Sequence, residues 1–115
     1  KSIEIVYGLR NFIGNANKFS KSKVFINIKS DSDITEIIIE DDGDGFTSDV
    51  LRKIGEPYIK SYKSSIKSKS GLGLGIFIGK TLLEKNYASI LCRNSETRNG
   101  AEVNIKWKNK DLLKV

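Results

Sequence analysis

The feature that most constrains the fold is a change of apolar period along the chain. Residues 101–107 alternate strictly, with Ala101, Val103, Ile105 and Trp107 on one face, which is typical of a half-buried β-strand. Near the start, apolar residues recur instead with helical spacing over about residues 4–19: Ile5, Leu9, Phe12, Ile13, Ala16 and Phe19. A single domain of 115 residues with both periods has to pack helices against a sheet.

The other segments complete this architecture. Strands are predicted over residues 24–28, 34–40, 88–93 and 101–107, and helices over about 4–19, 47–54 and 74–85. The turn sequences SDSD and NSETRNG join the strands into two hairpins, and Thr47 or Ser48 is the predicted cap of the short helix. This order predicts an α/β (α+β) two-layer sandwich, with helices on one face of a mixed, mostly antiparallel sheet.

Composition excludes several kinds of chemistry. The chain has no histidine, which rules out histidine-activated nucleophiles and histidine metal sites within it. Cys92 is the only cysteine, so no internal disulfide can form, and we expect its side chain to be buried in a strand. The chain starts at Lys1 and contains no methionine, so we expect residues 1–115 to be one domain of a longer protein.

The first group of polar residues with chemical potential lies on the first helix. Asn11, Asn15 and Lys18 have the spacing that places side chains on one helical face. A solvated face is the simpler explanation, but asparagine is a poor helix former. An amide oxygen is a suitable ligand for Mg²⁺, which usually takes few protein groups together with phosphates and water, and a lysine one turn away could contact a phosphate.

The second group follows the second strand. Asp41, Gly43 and Gly45 form a D-x-G-x-G sequence, which could be an ordinary acidic turn. The spacing does not match a calcium-binding EF-hand loop. Next to a planar ligand, the glycines would let backbone approach closely and the carboxylate would accept a hydrogen bond from an exocyclic amine such as that of adenine.

The third group is the sequence SGLGLGIFIGKT, residues 70–81. A Walker-type loop would need glycine six residues before Lys80, where the chain has Leu74, and the G-x-G-x-x-G pattern also fails. Gly71, Gly73 and Gly75 instead alternate at the start of an apolar helix, where free N–H groups favour phosphate. Lys80 and Thr81 fall inside that helix, too far along to hold the same phosphate.

The three groups in this order resemble the GHKL superfamily of ATP-binding domains, named for gyrase, the Hsp90 chaperone, histidine kinases and MutL. LRNFIGNANKF is similar to its N box, DDGDG to its G1 box and GLGLG to its G2 box. The resemblance covers nearly the whole chain and implies a Bergerat-type fold with a mobile ATP lid at about residues 54–73. It also implies ATP and Mg²⁺ as ligands.

The resemblance assigns roles to individual positions. Asn15 matches the Mg²⁺ ligand, Asn11 a second polar contact to metal or phosphate, and Lys18 the phosphate-contacting base, so that Asn15 and Lys18 are the implied catalytic residues. Asp41 matches the carboxylate that binds the adenine amine. The remaining implied nucleotide contacts are Phe19, Gly43, Gly45, Gly71, Leu72, Gly73, Leu74 and Gly75. Phe19 replaces a common tyrosine, so any phenolic contact to phosphate is lost.

The branch of the superfamily is indicated by Asn11. The ATPase branches and the serine kinases carry a glutamate base four residues before the Mg²⁺ asparagine, and an amide cannot accept a proton there. The resemblance therefore favours sensor histidine kinases, whose phosphoacceptor lies on a separate dimerisation domain. GEPY and GIFIGKTLLE are similar to the RegB/PrrB redox-responding subfamily. That subfamily tends to have a lid arginine where this chain has Lys60 to Lys63.

The subfamily implies a membrane-anchored homodimer in the bacterial inner membrane, with this domain in the cytoplasm and a response regulator as partner. Much of the net charge of +6 lies in the predicted lid or just before it, where phosphates would be enclosed: Arg52, Lys53, Lys60, Lys63, Lys67 and Lys69. A GHKL ATPase and a non-catalytic nucleotide sensor remain alternatives. Nucleic acid is not the expected partner, because charge alone would explain none of the three boxes.

Overall fold

The computed structural model describes residues 2–54 and 72–115. The chain runs through helices and strands with the following bounds: α1 Ser2–Phe19, β1 Val24–Ser30, β2 Ile34–Asp41, α2 Ser48–Ile54, α3 Leu72–Lys85, β3 Ser89–Asn94, β4 Ala101–Lys108 and α4 Asn109–Leu112. All the predicted helices and strands are present, and α4 is an addition. Among the described residues, no helix combines the length and apolar character needed to cross a membrane.

The four strands form one sheet in the order β1-β2-β4-β3. Both predicted hairpins are confirmed, and β2 pairs with β4 to join them. Every pairing in the described part of the chain is antiparallel, so the parallel pairing implied by a mixed sheet is not found there. Opposed pairs such as Ile39 with Val103 and Ile37 with Ile105 put one continuous apolar face on the central strands.

Helices α1 and α3 cover that apolar face. The largest fully buried side chains come from both layers: Phe12, Ile39, Ile76, Leu83 and Ile105. Burying each of these side chains contributes about 1.5–3 kcal/mol relative to leaving it in water. The predicted α+β sandwich is therefore confirmed.

The two helices cross at a pair of glycines. A Cβ atom on Gly79 would lie 2.8 Å from Cε2 of Phe12, and one on Gly8 would lie 2.7 Å from Cγ of Leu83. Any larger residue at either position would push the helices apart. Gly79 therefore serves helix packing, and Lys80, which follows it inside α3, forms an ion pair with Glu84 at 3.2 Å.

Two helices differ from the prediction. Helix α3 begins at Leu72 rather than near Leu74, so Gly73 and Gly75 lie within its first turn. Packing of the following apolar residues outweighs the low helix propensity of glycine. Helix α4 has no apolar period, and its first residue is held by tertiary bonds: Asn109 donates to the carbonyl oxygen of Asp31 at 2.7 Å and accepts from Thr35 Oγ1 at 2.7 Å.

Of two smaller predictions, one is confirmed and one is confirmed only in part. Thr47 Oγ1 accepts a hydrogen bond from the backbone N–H of Val50 at 3.2 Å and so caps α2. Cys92 lies on β3 as predicted, but it is only partly buried, at the edge of the buried cluster; desolvation there raises the pKa of its thiol to about 12.

Candidate functional site

A cavity opens where the second half of α1 faces the end of β2. It encloses about 70 Å³, which is below the ~300–1,000 Å³ of most small-molecule pockets. Its walls come from α1, from the loop formed by residues 41–46 and from the start of β4: Asn15, Phe19, Asp41, Asp44, Gly45, Phe46 and Ala101. Residues from the first two predicted groups therefore meet at one place.

Asp41 is the buried carboxylate of this cavity. It is the last residue of β2 and is 3% exposed. Its Oδ1 atom accepts hydrogen bonds from the backbone N–H groups of Gly43 at 2.8 Å and Ala101 at 3.2 Å. Both bonds end on one oxygen, which fixes the orientation of the carboxylate at the cavity wall.

The glycines around Asp41 are required by the protein itself. A Cβ atom on Gly43 would overlap the carbonyl oxygen of Phe19, and one on Gly100 would overlap the carbonyl oxygen of Asp41. Gly45 has φ of +81°, which disfavours any other residue, and its Cβ would lie 2.7 Å from Asn94 Oδ1. Close approach of backbone, or of the Asn94 side chain at Gly45, thus gives these glycines a structural role, whichever ligand enters.

Asn94 was not identified from the sequence. Its side-chain amide accepts from the N–H of Phe46 at 2.6 Å and donates to the carbonyl oxygen of the same residue at 3.0 Å. This pair of hydrogen bonds requires a donor and an acceptor on one short side chain. It holds the end of the 41–46 loop against β3. The only sequence signal was an asparagine at the end of a predicted strand, which is equally common in ordinary turns.

Asp42, the second acid of the loop, also lay outside the predicted site. Its Oδ1 accepts from three successive backbone N–H groups, those of Lys21 at 2.8 Å, Ser22 at 3.0 Å and Lys23 at 3.2 Å. Its Oδ2 accepts from the Ser22 hydroxyl at 2.6 Å. These hydrogen bonds, with the Ser22 hydroxyl first among them, hold the pKa of the Asp42 carboxyl well below its usual range.

The residues predicted on α1 separate into two sets. Asn15 lines the cavity, and its Oδ1 lies 3.9 Å from the position of a Cβ built on Gly75, so it stands between the cavity and the start of α3. Asn11 and Lys18 are on the same side of α1 but are not part of the cavity lining. Asn11 Nδ2 donates to the carbonyl oxygen of Tyr7 at 2.8 Å, and Lys18 Nζ lies 5.4 Å from the centroid of the Phe19 ring.

The glycine-rich group is described only in part. Leu72, Gly73, Leu74 and Gly75 form the first turn of α3, whose leading N–H groups have no partner within the helix. Gly71 and residues 55–70, which make up nearly all of the predicted lid, lie outside the described residues. The placement of Gly75 next to Asn15 brings the start of α3 to the cavity.

The donor set limits how a metal ion could be held. Within residues 2–54 and 72–115, no three acidic or cysteine side chains are grouped in a way that could bind an ion. The protein oxygens that line this cavity are those of the Asn15 amide and of two carboxyl groups, Asp41 and Asp44, so an ion there would depend largely on water and ligand oxygens. Mg²⁺ fits that description, because it keeps most of its water or phosphate ligands when it binds proteins.

Comparison with known families identifies the family to which this chain belongs. A model for the family described as "Histidine kinase-, DNA gyrase B-, and HSP90-like ATPase" matches residues 1–111. The chain belongs to this family.

The similar curated proteins are sensor kinases. Sensor histidine kinase RegB from Cereibacter sphaeroides is 38% identical over 98 residues, covering 80% of this chain and 21% of that protein. Sensor protein SrrB from Staphylococcus aureus is 33% identical over 84 residues, covering 71% of this chain and 14% of that protein. The chain therefore spans about a fifth or less of the length of these relatives.

Solved structures share the fold. Full-length ShkA, crystallised in complex with AMPPNP, superposes with a TM-score of 0.66 at 24% identity, over 90% of this chain and 21% of that one. The mycobacterial sensor histidine kinase MprB gives a TM-score of 0.69 at 20% identity, over 94% of this chain and 72% of that one. The sandwich and its helix-covered sheet are thus the fold of these kinase structures.

Proposed function

We propose that this chain is the ATP-binding catalytic domain of a sensor histidine kinase. It would hold Mg²⁺-ATP and present the γ-phosphate to a histidine on a separate dimerisation domain, from which a response regulator receives it. The observation that carries the proposal is the meeting of Asn15 and Asp41 at one cavity, with Gly75 beside Asn15. These are residues from three distant parts of the chain, in a family of histidine kinase-like ATPases.

Each group has a proposed role. Asp41 accepts a hydrogen bond from the adenine amine, while Phe19, Gly43 and Gly45 shape the space for the base. Asn15 is the proposed Mg²⁺ ligand, with Asn11 as a second polar contact and Lys18 as a phosphate contact. The triphosphate is assigned to the start of α3: Gly71, Leu72, Gly73, Leu74 and Gly75. Bound Mg²⁺ would supply charge neutralisation, and the chain's own residues supply position.

Asn11 favours phosphotransfer over hydrolysis. It stands where a hydrolytic relative needs a general base, and an amide cannot accept a proton at neutral pH. Its Nδ2 atom is already bonded within α1, to the carbonyl oxygen of Tyr7. The chain also lacks histidine, so the phosphoacceptor has to be supplied from outside residues 1–115. Turnover of ATP by this chain alone should be slow.

The biological setting is part of the same proposal. The similar sensor kinases are several times longer than this chain. We propose that residues 1–115 are one cytoplasmic domain of such a protein, which is a homodimer anchored in a bacterial inner membrane. Its partners are then its own dimerisation domain and a cognate response regulator.

Titration calorimetry with ADP, with and without Mg²⁺, tests the site. Asp41→Asn keeps an Oδ1 acceptor for Gly43 and Ala101 but removes the charge, and we expect it to weaken ADP binding about 10- to 100-fold. Asp49→Asn, on the surface of α2, is the control and should bind as the wild type does. Unchanged affinity in Asp41→Asn would show that the base is bound elsewhere.

Transfer is tested by adding a dimerisation domain that carries its histidine, together with γ-labelled ATP. Acid-labile label on the added domain supports the kinase. Sustained phosphate release by the chain alone would favour the ATPase. Tight ADP binding with no label on the added domain would favour a nucleotide sensor.

A further inference from the structure

We infer that Asp42 is a positioning residue of the nucleotide site, which sets the separation between the two walls of the cavity. One wall is the end of α1, with Asn15 and Phe19, and the other is the 41–46 loop. Asp42 bonds the second wall to the connection that follows α1, residues 20–23. The ligand in this inference is the adenine nucleotide of the proposed function, on which it rests.

The hydrogen bonds between the 41–46 loop and the connection that follows α1 are concentrated on this side chain. Asp42 accepts four hydrogen bonds of 2.6–3.2 Å, three of them from consecutive backbone N–H groups just beyond the end of α1. The neighbouring ion pair between Lys21 Nζ and Asp44 Oδ1, at 3.4 Å, joins the same two segments, but it is a single contact between two highly exposed side chains. Asp42 is therefore the principal polar link between these segments among the described residues.

The position of this link makes it sensitive. Gly43, the next residue, has no room for a Cβ beside the carbonyl oxygen of Phe19, so the two walls touch through their backbones. Phe19 and Asp41 stand on opposite sides of that contact and both line the cavity. Loss of the Asp42 bonds would let the walls separate at the point where the base is held.

A similar hydrogen-bonding arrangement occurs at the other end of the sheet, beside pockets that share no residue with the nucleotide cavity. Asp31 Oδ1 accepts from the backbone N–H groups of Asp33 and Ile34, both at 2.8 Å, within the β1–β2 turn. Those bonds are local in sequence and join no second wall of the nucleotide cavity. Asp31 is thus a matched control: a carboxylate that fixes a turn through backbone N–H groups, remote from the proposed ligand.

The experiment compares Asp42→Ala, Asp31→Ala and Asp42→Asn in the 115-residue chain. Affinities for ADP and for GDP are measured by calorimetry, and stability by urea unfolding. We expect Asp42→Ala to weaken ADP binding about tenfold and to narrow the preference for ADP over GDP, because a displaced wall discriminates less between bases. Asp31→Ala should lose stability without any change in either affinity.

Asp42→Asn should bind ADP within about threefold of the wild type, since an amide oxygen can accept the same backbone N–H groups. If Asp42→Ala does not fold, Ser22→Ala removes only the hydroxyl bond and should weaken ADP binding about threefold. Wild-type affinity and base preference in both Asp42→Ala and Ser22→Ala, or equal losses in Asp31→Ala, would overturn the inference alone. Failure of the wild type to bind ADP would overturn it together with the proposed function.

Discussion

The two ends of the sheet use the same kinds of side-chain hydrogen bonds to backbone groups, but different side chains are buried there. At the cavity end, Asp42 accepts hydrogen bonds from three backbone N–H groups, and the Asn94 side chain bonds to both the N–H and the carbonyl oxygen of Phe46. At the opposite end, Asp31 accepts hydrogen bonds from two backbone N–H groups, and Asn109 donates to the carbonyl oxygen of Asp31. These side-chain hydrogen bonds alone therefore do not show which end of the sheet binds a ligand.

The two ends of the sheet differ in which side chains are buried there. At the opposite end the indole of Trp107 is 3% exposed and its Nε1 donates to the carbonyl oxygen of Asn86 at 3.0 Å, so an aromatic ring occupies the interior. At the cavity end the buried side chains include Phe46 and also Asp41, a carboxyl group that lines open space and has glycines around it. A buried carboxyl group beside a cavity supports the nucleotide site proposed at this end, because burying a polar group costs free energy that a ligand can help to recover.

The largest expected effect comes from filling the glycine contacts at the cavity end. Gly100→Ala would place a methyl group against the carbonyl oxygen of Asp41, and we expect a loss of about 3 kcal/mol in the free energy of unfolding. The control is Gly14→Ala on α1, where nothing lies within 4 Å of the added Cβ and stability should rise by up to ~1 kcal/mol. Urea unfolding measures both. Equal stabilities would mean that backbone contact does not define the cavity.

A smaller effect is expected from Asn86→Ala at the opposite end. The Asn86 amide is buried and donates to Glu4 Oε1 at 3.0 Å and to the carbonyl oxygen of Leu82 at 2.9 Å. Losing both bonds should cost about 1–3 kcal/mol of unfolding free energy and leave ADP affinity unchanged. Calorimetry on the variant, at a temperature where it is folded, checks the second part. Weaker ADP binding would show that the two ends are coupled.

The smallest effect is a dependence on pH at the opposite end. Hydrogen bonds from Asn86 and then from Lys85 lower the pKa of Glu4 to about 2 from its ordinary 4.5. The unfolded chain therefore binds this proton more readily than the folded chain does. The contribution of Glu4 to the free energy of unfolding is thus fully present above about pH 4.5 and is lost as the pH falls toward 2. At pH 7 the urea midpoint of unfolding should be higher for the wild type than for Glu4→Gln. At pH 3 the difference between the two midpoints should be smaller. A constant gap would contradict this assignment.

Much of the architecture could be predicted from local pattern. The helical period of α1 and the alternation of β4 identify these elements, because each depends on which residues one face must bury. The two hairpins follow from turn sequences between strands. The pairing of β2 with β4 and the antiparallel character of the whole described sheet could not be predicted, since they depend on residues far apart in the chain.

The candidate site divides in the same way. Sequence spacing selected Asn15, Asp41 and Gly75, and the structure brings them to one cavity or its edge. It places Asn11 and Lys18 on the same side of α1 but outside the lining, which depends on how α1 is tilted and packed rather than on spacing. Asn94 and Asp42 carried no distinctive pattern, because their partners are backbone groups of other segments.

By itself, the sequence determined the elements, the absence of histidine chemistry and the three boxes of the ATP-binding family, because these depend on residue type and local spacing. Only the tertiary structure decided why the glycines are needed. Gly43, Gly45 and Gly100 each meet a group from another segment: the Phe19 carbonyl, the Asn94 amide and the Asp41 backbone. Such contacts arise when separate segments pack together, and no pattern along a single segment specifies them.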